Sequence, residues 1–131
     1  MKTILFVCGE NACRSQMAEG FARAFGGGIV DAYSAGSRPS GAVNLDAIRV
    51  MGEAGVDISV YRSKGFSDLP IAQFDIAITM GCQDTCPFIP AQDHREWDVE
   101  DPKGRGIAFF RKTRDAIKMK VAALIDELAD A

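Results

Sequence analysis

Eight residues near the start of the chain decide the fold: Cys8-Gly9-Glu10-Asn11-Ala12-Cys13-Arg14-Ser15. They follow the apolar run Ile4-Leu5-Phe6-Val7 and open into a segment with helical periodicity. A strand that turns through a short loop into a helix points several backbone N–H groups and the positive end of the helix at one place. The pattern therefore predicts an anion-binding loop between the first strand and the first helix.

Within this loop, Cys8 and Arg14 form the chemically important pair. A cysteine beside a helix N-terminus and a guanidinium group is expected to be in its reactive thiolate form at neutral pH. Arg14 offers a planar set of N–H donors that matches a tetrahedral oxyanion. Ser15 can cap the helix or hydrogen-bond the Cys8 sulfur. We therefore predict that residues 9–15 bind an oxyanion above the Cys8 nucleophile.

Length and composition are those of an ordinary globular protein. The chain has 131 residues, of which 47% are hydrophobic and 25% charged, so it can bury a sizeable core, and we predict a single domain over residues 1–131. The net charge of −3 argues against a nucleic-acid or anionic-membrane partner. The first apolar run is too short for a signal peptide, and no stretch reaches transmembrane length. We therefore expect a cytoplasmic protein.

Apolar runs alternate with helical periodicity along most of the chain. Strands are expected at residues 3–7, 29–33, 74–80 and, as a short strand, around 96–99, and helices at about 15–25, 44–54 and 107–128. Strands that alternate with helices form a parallel sheet with right-handed crossovers, and such sheets bind ligands at the carboxyl ends of their strands. The loop at Cys8 and the loop at Cys82 and Cys86 are therefore expected to face each other.

The motifs of the chain resemble those of the low-molecular-weight protein tyrosine phosphatases. The matching segments span nearly the whole chain: Val7-Cys8, Asn11, Cys13-Arg14-Ser15, Met17-Ala18-Glu19, Ser34-Ala35-Gly36, the strand that ends at Met80, and Asp101-Pro102. The resemblance implies a three-layer α/β fold with a four-stranded parallel sheet flanked by helices. It also implies that Asp101, on a loop opposite the Cys8 nucleophile, is the general acid that protonates the departing oxygen.

Within this family the chain looks most like the arsenate reductases. Gln16 stands where phosphatases usually carry proline, and Cys82 and Cys86 after the third strand are a reductase feature. Residues 103–106 include none of the aromatic side chains with which phosphatases hold a phenyl ring. The resemblance therefore implies a thiol-dependent enzyme that converts arsenate to arsenite.

Cys82 and Cys86 are expected to distinguish the two activities. In a reductase, Cys82 would attack the Cys8 adduct and leave a disulfide, and Cys86 could then pass the oxidation to thioredoxin or to a low-molecular-weight thiol. In the alternative, a phosphatase, Cys8 would cleave a phosphomonoester and water would complete the reaction. A third alternative, a non-catalytic or metal-sensing thiol protein, would leave Arg14 and Asp101 without a role.

We predict no metal and no other cofactor. The spacing of the last two cysteines is not one of the usual structural zinc patterns. Some thioredoxin-coupled members of the family carry Asn, Glu, Ser and Asp residues that resemble the ligands of a potassium ion. Asn11, Glu19 and Ser34 match these ligands, but Lys64 falls near the position of the Asp. We therefore do not predict the ion.

Three further expectations concern residues around the loop and on the last helix. Glu10 replaces the glycine common in phosphatases, and a carboxylate beside an anion site is tolerable only if it points outward. Cys13 is expected to be a small buried residue that could form a disulfide with Cys8 under oxidation. Arg111, Lys112 and Arg114 are expected to form a solvated face of the last helix.

Overall fold

The computed structural model describes residues 1–81 and 89–130. Its strands and α-helices are β1 (Lys2–Val7), α1 (Arg14–Phe25), β2 (Val30–Ala35), α2 (Leu45–Glu53), β3 (Phe74–Thr79), β4 (Ala91–Glu96) and α3 (Ile107–Ala129). A short 3₁₀ turn at Phe66–Asp68 precedes β3. The four strands form one parallel sheet in the order β2-β1-β3-β4. The predicted four-stranded parallel sheet flanked by helices is therefore confirmed.

The two faces of the sheet are covered differently. The face that carries Ile4 and Phe6 packs against apolar side chains of all three α-helices. The opposite face, which carries Leu5 and Val7, packs against apolar side chains of the segment 66–71 and against Ile89. Strand β1 is buried on both faces because it lies inside the sheet, which explains its continuous apolar run.

No helix in the described part of the chain is both long enough and apolar enough to cross a membrane.

The last strand is where the sequence prediction was wrong. A strand was expected at residues 96–99, whereas β4 runs from Ala91 to Glu96 and has the polar sequence AQDHRE. Among the described strands it is an edge strand whose one neighbour is β3, and its residues alternate between partly buried and exposed. Its backbone hydrogen bonds hold it in place without an apolar pattern. Trp97 follows the strand and packs on Phe6 with ring centroids 5.8 Å apart.

The sheet brings the ends of its strands to one edge. Val7 at the end of β1 is in register with Ala35 at the end of β2 and with Thr79 at the end of β3. Thr79 in turn pairs with Glu96 at the end of β4. The four loops that follow these residues therefore start side by side, as a parallel sheet requires.

Two arginines of α3 were expected to be free in solvent, but both form ion pairs. Arg111 Nη2 and Arg114 Nη1 lie 2.8 and 3.0 Å from the two carboxylate oxygens of Glu53, the last residue of α2. Arg114 Nη1 also donates to the carbonyl of Val50 at 3.0 Å, and its side chain is only 14% exposed. Glu53 thus joins α2 to α3.

Replacing Glu53 by glutamine is expected to make stability less dependent on pH. Hydrogen bonds from Arg111, above all, lower the pKa of Glu53 from 4.5 to about 2. A carboxyl group with a lowered pKa in the folded state stabilises the protein above its unfolded pKa, and this contribution is lost as the pH falls through the folded pKa. Glu53→Gln should therefore lower Tm at pH 7. The difference in Tm between this variant and wild type should shrink as the pH falls from 4.5 to 2.

Thermal unfolding followed by circular dichroism measures this difference. The control is Glu100→Gln, which removes an exposed ion pair with Arg105 within a single loop and should change Tm little. A Tm difference between Glu53→Gln and wild type that stays constant from pH 7 to pH 2 would contradict the assignment.

Candidate active site

A pocket of about 410 Å³ opens where the strand ends meet. Its lining residues come from the loops after β1, β2, β3 and β4: Cys8, Gly9, Glu10, Ala12, Cys13, Arg14, Arg38, Gly81, Asp101 and Lys103. The structure thus places the predicted nucleophile, the predicted oxyanion ligand and the predicted acid around one cavity. None of these lining residues is aromatic.

The backbone of the first loop pairs its carbonyl groups with the segment 38–44 and leaves several N–H groups unpaired among the described residues. The carbonyl oxygens of Gly9, Glu10 and Ala12 accept hydrogen bonds from backbone N–H groups of the segment 38–44, at 2.8 to 3.1 Å. No described residue accepts a hydrogen bond from the backbone N–H groups of Gly9, Glu10, Ala12 and Cys13. A loop with free N–H groups beside a helix N-terminus is suited to bind an anion.

Gly36 allows the loop to pack this closely. A Cβ atom on Gly36 would lie 2.6 Å from the carbonyl oxygen of Gly9 and 2.7 Å from the backbone nitrogen of Asn11. These atoms belong to the backbone and cannot rotate away, so only glycine fits at this position. Asn11 itself has a φ of 49°, a left-handed conformation that asparagine tolerates better than most residues.

Two polar side chains form a hydrogen-bonded chain that ends at the Cys8 sulfur. Ser15 Oγ lies 2.9 Å from Cys8 Sγ, and Asn11 Nδ2 donates to Ser15 Oγ at 2.8 Å. Since Ser15 Oγ accepts from Asn11, its own hydrogen is available for the sulfur. The side chains of Asn11 and Ser15 are fully buried and support Cys8, and the part of these two residues in oxyanion binding stays a prediction.

Gln16 holds Asn11 in turn. Its Nε2 lies 2.8 Å from Asn11 Oδ1 and 2.8 Å from the carbonyl oxygen of Arg62. The backbone N–H of Lys64 also donates to Asn11 Oδ1, at 2.8 Å. Sequence reasoning noted Gln16 only as a departure from the phosphatases and missed that it links Asn11 to Arg62, because Arg62 lies 46 residues away in the sequence.

The Lys64 side chain supplies a positive charge beneath the loop. Its Nζ lies 3.2 Å from Ser34 Oγ and 3.6 Å from Glu19 Oε1. Ser34 Oγ donates to the same Glu19 carboxylate, which is 4% exposed and also accepts from Arg23 at 2.8 Å. Burial lowers the pKa of Lys64, and the negative charge of Glu19 opposes that shift. Two residues that match potassium ligands, Glu19 and Ser34, therefore contact this ammonium group.

Arg14 is held at the rim of the pocket. Its Nη1 donates to the carbonyl oxygen of Val99 at 2.9 Å, and its Nη2 lies 3.8 Å from Asp101 Oδ2. The side chain of Arg14 is 11% exposed, whereas that of Asp101 is 53% exposed. The Nε atom of Arg14 is buried and has no hydrogen-bond partner among the described residues. The guanidinium group therefore retains donor capacity beside the predicted acid.

Two further cations line the pocket, and sequence reasoning did not assign either to the site. Lys103 Nζ forms an ion pair with Glu10 Oε1 at 2.8 Å, which holds the Glu10 carboxylate at the exposed rim, as expected. That hydrogen bond also raises the pKa of Lys103. Arg38 has no ion-pair partner among the described residues. The sequence feature that could have assigned Arg38 to the site is its position in the loop after β2, which starts next to the carboxyl end of β1.

Cys13 also lines the pocket. Burial above all, together with the charges of Asp101 and Cys8, raises the pKa of Cys13 to about 12. Cys13 therefore stays a neutral thiol at physiological pH and is a poor nucleophile. The disulfide between Cys13 and Cys8 under oxidation stays a prediction.

The other two predicted catalytic cysteines, Cys82 and Cys86, lie outside the described residues. Gly81, the residue before them, is described and lines the pocket. Within residues 1–81 and 89–130, no three His, Cys, Asp or Glu side chains are grouped so as to hold a metal ion.

Comparison with known proteins gives consistent relatives. The family model for the low molecular weight phosphotyrosine protein phosphatase matches residues 3–131. A glutaredoxin arsenate reductase of Synechocystis sp. is 36% identical over 132 residues, which cover 98% of this chain and all of the relative. The solved structure of an arsenate reductase in the phosphate binding state is 36% identical and superposes with a TM-score of 0.87, over 98% of this chain and 99% of the other. The thioredoxin-dependent arsenate reductase of Corynebacterium glutamicum is 29% identical with a TM-score of 0.83, over 98% of this chain and 62% of the other.

Proposed function

The chain belongs to the low molecular weight phosphotyrosine protein phosphatase family, and we propose that it is an arsenate reductase whose nucleophile is Cys8. The similarity to arsenate reductases favours reduction over the phosphatase alternative. The observation that carries the proposal is the pocket itself, in which Cys8 and Arg14 lie beside backbone N–H groups that donate to no described residue, and none of the described lining side chains is aromatic. The donors around Cys8 suit a small inorganic oxyanion.

Arsenate or phosphate binds between the first loop and Arg14. The free N–H groups of the loop and the guanidinium group supply the hydrogen bonds that an oxyanion needs. The unpartnered Nε of Arg14 supports this assignment, because a bound oxyanion would give the guanidinium group a further acceptor. One of the solved relatives is described in a phosphate binding state, which agrees with this assignment.

The first chemical step forms a bond between sulfur and arsenic. The Cys8 thiolate attacks the arsenic atom and one hydroxyl group of the protonated arsenate departs. Asp101 donates a proton to that oxygen, so it leaves as water. The Arg14 guanidinium, 3.8 Å from Asp101, stabilises the negative charge on the remaining oxygens.

The second step transfers two electrons to arsenic. A second thiolate attacks the Cys8 sulfur, the sulfur–arsenic bond breaks, and its electron pair stays on arsenic, which leaves as arsenite. The two sulfur atoms are oxidised to a disulfide. We assign the second thiol to Cys82 and the next one to Cys86, because both follow β3, whose end lies beside the end of β1. The first disulfide requires the two Cα atoms to come within about 4.4–6.8 Å.

The final reductant is a thiol protein or a small thiol. The Synechocystis relative is named as a glutaredoxin enzyme and the Corynebacterium structure as a thioredoxin-dependent one. Both classes of donor work in the reducing cytoplasm, where we place this protein.

The disulfide relay predicts different outcomes for two cysteine variants. With thioredoxin as the only donor, Cys82→Ser should stall after one arsenate is bound to Cys8, and Cys86→Ser should stop with a disulfide between Cys8 and Cys82. Arsenite formation and intact-protein mass measure both outcomes. Addition of a small thiol to Cys82→Ser is the internal control, since it should restore turnover. Wild-type rates in both variants with thioredoxin alone would show that the relay is wrong.

The proposed function is tested by two assays on the same preparation. One measures arsenite formed from arsenate with thioredoxin or with glutaredoxin and its small thiol, and the other measures hydrolysis of an aryl phosphate. We expect arsenite in the first assay and little hydrolysis in the second. Efficient hydrolysis without arsenite would support the phosphatase alternative.

A further inference from the structure

We propose that Gly81 positions Arg14: the missing side chain of Gly81 leaves the space that the guanidinium group occupies. A Cβ atom on Gly81 would lie 2.3 Å from Arg14 Nη1, 3.4 Å from Cζ and 3.7 Å from Nη2. The first of these distances is far below van der Waals contact, so any side chain at residue 81 would displace the guanidinium group. The inference rests on the proposed oxyanion site and extends it to a residue that acts by positioning Arg14.

Arg14 has little freedom to accommodate such a displacement. Its Nη1, the atom nearest to Gly81, donates to the buried carbonyl end of Val99 at 2.9 Å. The contact with Gly81 and the hydrogen bond to Val99 therefore set the position of Nη1 between them. Moving Nη1 would break the bond to Val99 and turn Nη2 relative to Asp101.

The backbone before Gly81 is held by a hydrogen bond. The backbone N–H of Met80, the preceding residue, donates to the carbonyl oxygen of Val7 at 2.8 Å, which fixes the end of β3 to the end of β1. Gly81 itself has a φ of 75°. Alanine at this position would therefore cause two separate effects, which are strain in a left-handed backbone and displacement of Arg14.

A matched pair of variants separates these effects. Gly55 has a φ of 82°, lies after α2, and a Cβ atom there would meet nothing within 4 Å. Gly55→Ala therefore carries the backbone strain without the contact to Arg14. Both variants should lower Tm, but only Gly81→Ala should weaken the binding of inorganic phosphate, measured by calorimetry on the full chain. We expect its Kd to rise roughly tenfold to a hundredfold, the effect of losing one hydrogen bond to a charged group.

A phosphate Kd for Gly81→Ala equal to that of Gly55→Ala would overturn the proposal. If Gly81→Ala is too unstable for calorimetry, the double variant Gly81→Ala with Arg14→Lys should have a higher Tm than Gly81→Ala alone, because lysine lacks the clashing nitrogen. A double variant no more stable than the single one would also overturn the proposal. Phosphate binding is measured without turnover, so a wild-type protein that binds phosphate but forms no arsenite would contradict the proposed function and leave the role of Gly81 standing.

Discussion

Replacing Cys8 by serine is expected to abolish arsenate reduction and to leave phosphate binding nearly intact. The hydroxyl group cannot form the sulfur–arsenic bond, and no disulfide to residue 8 can then carry electrons to arsenic. We expect the rate to fall by at least about 10⁴, since loss of the covalent nucleophile costs ~10⁶ in a well-studied protease. The loop should survive, because a hydroxyl at residue 8 still hydrogen-bonds Ser15, which lies 2.9 Å from the sulfur in the native protein.

Arsenite formation measures the loss of activity, and the phosphate Kd of the same variant is its control. An unchanged Kd together with an unchanged Tm would show that the oxyanion site is intact without the thiol. Arsenite formation by Cys8→Ser at more than a small fraction of the wild-type rate would contradict the role of Cys8.

Replacing Asp101 by asparagine is expected to lower kcat for arsenate by about 10²–10⁴, the usual effect of losing a general acid. Asparagine keeps the shape of the side chain and its oxygen can still accept the hydrogen bond from the backbone of Lys103, at 3.1 Å in the native protein. It removes the proton that the departing oxygen needs. Phosphate affinity should change little, because the acid acts mainly in the transition state.

The control for this variant is Glu100→Gln, which neutralises the neighbouring carboxylate. Glu100 pairs with Arg105 and does not line the pocket, so its rate should stay near that of wild type. Steady-state kinetics of the two variants settle the assignment. A near-normal kcat for Asp101→Asn would show that Asp101-Pro102 is only a turn.

The first half of the fold was predictable because its signals are local. The apolar run of β1, the stripe of α1 and the loop between them lie within 25 residues, so Cys8 and Arg14 could be assigned from the sequence. Strand β4 could not be predicted from the sequence. An edge strand that is half exposed needs no apolar pattern, because backbone hydrogen bonds to β3 hold it in place.

The rest of the site depends on contacts between distant segments. Gln16 and Arg62 are distant in the sequence and close in the fold, and so are Gly81 and Arg14. Their residue types give no indication of these contacts, since glutamine is common on helices and glycine is common in loops. Asp101 was predictable only because its pairing with proline is a motif of the family.

A single-turnover experiment tests the central claim most directly. Reduced protein in excess over arsenate, without any external thiol, is quenched, and arsenite and the protein disulfides are measured together. The mechanism predicts one arsenite for each arsenate supplied, with the loss of two thiols and a disulfide that links peptides containing Cys8 and Cys82 or, after the next exchange, Cys82 and Cys86. Recovery of unchanged arsenate with all thiols still reduced would contradict it.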